Sequence, residues 1–99
     1  MGIIVINTFE RREKIRWPEV QDRFPNEWVV LEVIKAQSNE GNRYIEEVIV
    51  IDRFEQSIEA MHRYDKLRLE QPQREYCFFH TSRPKLVARE RYIGIRGRR

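Results

Sequence analysis

Apolar positions recur along the chain with two different periods, and the change of period divides it into elements. Ile3-Ile4-Val5-Ile6 is a β-branched run ended by the polar Asn7 and Thr8, and it predicts a short strand. Ile15, Val20 and Phe24 then stand on a charged background. Pro18 suits the first turn of a helix, where a missing N–H leaves no bond unmade, so a helix over 17–24 is expected, closed by Pro25-Asn26. From Trp28 to Lys35 the pattern alternates. Val29, Leu31 and Val33 make one apolar face, while Trp28, Val30, Ile34 and the exception Glu32 occupy the other. Ser38-Asn39-Glu40-Gly41-Asn42 marks a turn-rich segment over 36–43, and apolar residues resume from Tyr44 to Phe54. Together these stretches predict a β-hairpin with a loop longer than two residues.

Ser57 is placed to cap a helix running to Leu69. Its apolar members Ile58, Met61, Tyr64 and Leu67 fall on every third residue, with Ala60 alongside, and are expected to form one stripe against a sheet. Pro72 stops it. Glu75 to Thr81 reads as an aromatic-rich strand, Ser82-Arg83-Pro84 as a turn, and Leu86 to Ile95 as a last strand, strongest over Tyr92-Ile93-Gly94-Ile95. The elements predict an α+β fold: a small, mostly antiparallel sheet of four to five strands, one main helix over 57–69 and a short N-terminal helix, with the helices on one face. Residues 1–99 read as a single α+β domain, of which 96–99 form a loose basic tail.

Composition narrows the classes. A chain of 99 residues is the size of one domain, and 40% hydrophobic with 35% charged residues is a folding composition. No apolar run approaches the ~20 residues that span a bilayer, so no membrane partner is expected. The lone Cys77 forms no intramolecular disulfide, which points to a reducing, cytoplasmic setting. Charge is uneven: residues 1–56 hold eight Lys/Arg against eleven Asp/Glu, and residues 57–99 hold eleven against five.

Catalytic candidates are few. Cys77 and His80 are a thiol and a base, but three residues apart on a strand they face opposite ways, so Cys77 is expected to be a core residue. His62, Asp65, His80 and Cys77 match no metal-ligand spacing. Glu46 and Glu47 are adjacent and face apart, Glu32 and Asp52 depend on an unknown register, and Glu32 stands one residue too far from Lys35 for a nuclease-like pair. Glycine loops for nucleotides are absent, and no catalytic residue, metal or cofactor is expected. The basic segment from Arg83 is more suggestive. Arg83, Lys85, Arg89, Arg91 and Arg96 accompany Tyr92, with Tyr76, Phe78 and Phe79 on the preceding strand, a combination able to pair with phosphate and stack bases.

Phe24-Pro25-Asn26-Glu27-Trp28-Val29, the Leu31-Glu32 strand, Phe79-His80-Thr81 and Tyr92-Ile93-Gly94-Ile95-Arg96-Gly97 together resemble a group of short uncharacterised bacterial proteins. These are frequent in cyanobacteria and often encoded beside a small retropepsin-like aspartyl protease. The resemblance covers about residues 20–97 and implies no catalytic residue. It implies the interaction class: a small protein paired with another gene product, as binding partner or regulator. Trp28, rigid and amphipathic after Pro25, is the candidate protein-binding anchor, its alternative role being to plug one end of the core. The expected function is a non-enzymatic interaction or regulatory module with a protein partner, plausibly homodimeric. The alternative is a nucleic-acid-binding protein using Arg83, Lys85, Arg89, Arg91, Tyr92 and Arg96, and a small enzyme ranks third.

Overall fold

The computed structural model describes residues 13–89; the strand expected at 3–6, the strongest part of the last strand at 92–95 and the tail at 96–99 lie outside the described residues. Within them the order is α1 (Trp17–Arg23), β1 (Trp28–Asn39), β2 (Asn42–Phe54), α2 (Ser57–Glu70), β3 (Tyr76–His80) and β4 (Val87–Arg89). The four strands form one sheet in the order β3-β1-β2-β4, every neighbouring pair antiparallel. The fold is α+β.

The β1–β2 hairpin is tighter than the sequence suggests. Asn39 pairs with Asn42, leaving a two-residue turn of Glu40 and Gly41 in place of the loop expected over 36–43. Both turn residues have positive φ, 53° and 82°, the pattern of a type I′ turn whose twist matches the strands it joins. Glycine adopts this conformation freely, whereas glutamate does so at a cost. Glu40→Asn is therefore expected to raise the melting temperature by a few degrees, equivalent to about 0.5–1 kcal/mol. A melting curve that is unchanged or lowered would show that the turn tolerates glutamate without strain.

The two helices lie on opposite faces of the sheet, not on one. Ile15, Trp17 and Val20 pack with Val29, Leu31, Ile45, Val48, Val50, Cys77 and Leu86 on the first face. Ala60 and Leu67 of α2 pack with Val30 and Tyr76 on the second, joined by the half-buried Trp28, Ile51, Phe54, Tyr64 and Phe78. Alternation along β1 supplies both sets, since Val29 and Leu31 face one way and Val30 the other.

The stripe expected on α2 is only partly used. Leu67 and Ala60 are buried, but Ile58 and Met61 are exposed. A spacing of three falls behind the helical repeat by about 60° per step, so Ile58 and Leu67 end up half a turn apart. Ser57 is the first helical residue and no cap: the N-cap is Gln56, which makes no side-chain capping bond.

Register irregularities near Val30/Leu31 and from Val33 to Ala36 bend the hairpin. Its far end curls over the first face, carrying β4 with it. The guanidinium of Arg43 on β2 thereby donates to both carboxylate oxygens of Glu75, just before β3, at 2.9 and 2.7 Å. The outer edge of β2 is covered by β4 at residues 42–44 and by Ile15, which exchanges two 2.9 Å backbone hydrogen bonds with Val48.

Candidate functional site

The curl brings the two outer strands of the sheet to opposite sides of one cleft. Cys77, Phe78 and Phe79 of β3 form one wall, and Val87, Ala88 and Arg89 of β4 the other, with Arg83 and Tyr64 at the rims and a volume of about 520 Å³. It is the seam of a sheet that almost closes on itself.

The turn that carries Arg83 is fixed from three directions. Thr81 is buried; its hydroxyl donates to the Phe24 carbonyl at 2.8 Å and accepts the Glu27 N–H at 3.1 Å. Its own N–H donates to the Glu27 carbonyl at 2.9 Å. From α1, the indole N–H of Trp17 donates to the Arg83 carbonyl at 2.7 Å, and the Gln21 amide donates to the carbonyls of Thr81 and Arg83, each at 2.9 Å. The two sequence motifs at 24–29 and 79–81 thus meet in space, joined by hydrogen bonds that satisfy backbone groups.

Held this way, the Arg83 guanidinium lies over the Phe79 ring, 4.7 Å from its centroid, and donates to the Val87 carbonyl at 3.2 Å. On the other rim Arg68 lies over Tyr64, 5.4 Å from its centroid. Burial pushes the Tyr64 hydroxyl above its ordinary range, a shift that the nearby Arg68 partly offsets. The remaining arginines of the sheet and helices are differently placed. Arg23, Arg43, Arg53, Arg63 and Arg74 each stand within 4 Å of a carboxylate. No carboxylate faces Arg68, Arg83 or Arg89 among the described residues.

The other sequence candidates disperse. Cys77 is buried on the first face, where loss of solvation drives its thiol far above the usual range and keeps it neutral. His80 sits on the second face, edge-on to Trp28 with centroids 5.2 Å apart, its Nδ1 2.8 Å from the Ser82 hydroxyl. His62 and Asp65 are exposed on α2, and no group of three or more potential metal ligands occurs among the described residues. Glu32 is buried against Arg74 at 3.2 Å, Asp52 faces Arg63, and Lys35 faces Glu46. Glu32 pairs with Ile49 and Asp52 with Val30, so those carboxylates are not cross-strand partners.

Trp28 is half-buried in the second core against Phe78, with ring centroids 6.1 Å apart, and does not project as a free anchor. Of the expected basic set, Arg83 and Arg89 converge on the cleft and Lys85 is exposed on the segment between them. Arg91, Tyr92 and Arg96 lie outside the described residues. Phe78 and Phe79, expected beside the basic run, do line the cleft; the part of Tyr64 was not apparent from the sequence, because it depends on which strands become outer strands. No helix among the described residues is long and apolar enough to cross a membrane. Comparison of the chain with protein-family models, curated proteins and solved structures finds no match.

Proposed function

We propose that this chain is a non-enzymatic, cytoplasmic interaction module whose partner is a protein, bound at the cleft between β3 and β4. The observation that carries the reading is the outer edge of β3, which pairs with no strand among the described residues while half-buried aromatic rings flank it. Such an edge is a template for another chain unless it is covered. The resemblance to small proteins encoded beside a protease-like gene supports a search among products of adjoining genes.

The test is light scattering on the full-length chain, alone and mixed with the adjoining gene product. A complex of the two that is lost or much weakened by Arg83→Glu supports the reading. A monomer that forms no complex counts against it, and a dimer of the chain alone would assign the surface to self-association. One observation favours a second reading: Arg83 and Arg89 face the same cleft as Phe79, as a binder of single-stranded RNA requires. Anisotropy with labelled RNA at two salt concentrations separates the two, since phosphate contacts weaken steeply with salt.

A further inference from the structure

Four large hydrophobic side chains are exposed among the described residues, Tyr44, Ile58, Met61 and Leu69, and three of the four stand on α2. Ala60 and Leu67 turn the opposite side of that helix into the second core. At about 100° per residue Ile58 and Leu69, three turns apart, fall within about 20° of one line, with Leu67 half a turn away. His62 and Asp65 lie between them on either side of that line, Met61 lies on one flank, and Glu59 and Lys66 lie on the other. All of these are exposed. No ion pair among the described residues holds Glu59, Asp65 or Lys66. The outward face of α2 is therefore apolar at both ends, with unpaired charges of both signs along it.

We propose that a second copy of the chain docks on this face, α2 against α2, antiparallel about a two-fold axis set between Arg63 and Tyr64. The face is complementary to itself in that one arrangement, as a two-fold contact requires. The axis brings Ile58 against the partner's Leu69, and Leu69 against the partner's Ile58. It sets His62 beside the partner's Asp65, whose carboxylate accepts the ring N–H. Glu59 and the partner's Lys66 share a flank less than one turn apart, so the contact closes two such ion pairs, while Met61 adds apolar surface on the other flank. Glu70 lies beyond the paired length. A parallel arrangement would oppose Asp65 to Asp65 across the axis, and a phosphate-bearing surface, lipid or nucleic acid, would meet Glu59 and Asp65 as like charges. One pair of 14-residue helices, each about 21 Å long, buries less than the roughly 1,200–2,000 Å² of a stable interface, so the dimer dissociates in the range of tens of micromolar. The face turns away from the sheet, and the proposal does not rest on the cleft or on the protein-binding reading.

Sedimentation equilibrium of the full-length chain over about 5–500 μM tests it, the average mass climbing from one copy towards two. Leu69→Lys, at an exposed site, is expected to weaken association at least tenfold and to leave the melting temperature of the dilute chain unchanged. Ile58→Lys gives a second reading of the same contact. Glu59→Lys and Lys66→Glu are each expected to weaken association at least threefold, and the double variant to restore it. These two residues stand two turns apart on one helix, so rescue reports a contact between copies. Arg83→Glu is expected to leave association unchanged, which separates a dimer through α2 from one formed at the cleft. A chain that stays monomeric to the highest concentration overturns the proposal. So does a dimer that survives Leu69→Lys or is lost with Arg83→Glu, and so does a double variant no better than either single one. A fall in the melting temperature of dilute Leu69→Lys would assign the face to cover by the chain itself and overturns it as well.

Discussion

Trp17→Ala is expected to lower the free energy of unfolding by about 3–5 kcal/mol, the usual cost of removing a buried aromatic ring from a core. Trp17 is 6% exposed and packs among the first-face residues that also include Ile15, Val20 and Leu86. The substitution opens a cavity under α1 and removes the indole N–H from the Arg83 carbonyl. Against a total stability of about 5–15 kcal/mol, such a loss removes a large fraction of what holds the fold together. Urea denaturation followed by circular dichroism measures it directly, the midpoint falling at unchanged slope. Trp17→Phe keeps much of the packing and loses the hydrogen bond, for a cost nearer 1–2 kcal/mol, roughly one hydrogen bond and a partial void. A loss below about 1 kcal/mol for the alanine variant would mean that α1 does not unfold with the sheet.

The second large effect belongs to Thr81→Val. Valine has nearly the same shape, so packing survives, but the Phe24 carbonyl and the Glu27 N–H both lose the hydroxyl that satisfies them. Unsatisfied buried groups cost about 1–3 kcal/mol each, giving an expected loss of about 2–6 kcal/mol for the two. Thr81→Ser retains the hydroxyl and loses only a buried methyl, for about 1 kcal/mol. The order valine worse than serine is the signature of a polar junction. Equal losses would show that the methyl, not the hydroxyl, holds the turn. Loosening this junction also frees the turn that aims Arg83, so the valine variant is expected to bind less well even where it is folded.

Much of the fold was legible because burial leaves a mark on composition. Trp28 to Val33 is apolar at almost every position, which suits a central strand covered on both faces. That same run carried the evidence that the helices could not share one face, since Val30 needs cover as much as Leu31. Polar composition misled at 36–43: Gln37, Ser38 and Asn39 are exposed on a strand that continues past the core, where alternation has nothing to report. On α2 the regular spacing of Ile58, Met61, Tyr64 and Leu67 imitated a stripe while winding around the helix. Of the site, Arg83 and Arg89 were visible as members of a basic run. Their association with Phe78 and Phe79 was legible too, but the cleft between the two outer strands and the place of Tyr64 in it were not, because the curl of the hairpin and the order of the strands arise from long-range pairing.

Among the described residues β4 joins the sheet through three residue pairs, whereas the β1–β2 ladder runs the length of the hairpin. Opening that wall breaks this ladder and lifts Leu86 and Ala88, while the pairing of β1 with β2 and the core under α2 stay in place. Local fluctuations of this kind lie at the low end of a protein's free-energy scale of opening. The seam is thus the place where the molecule can breathe without unfolding, and a ligand that fills it would act as a clamp. Its binding energy would appear as slower exchange throughout β4 and the turn before it, as well as at the edge it touches.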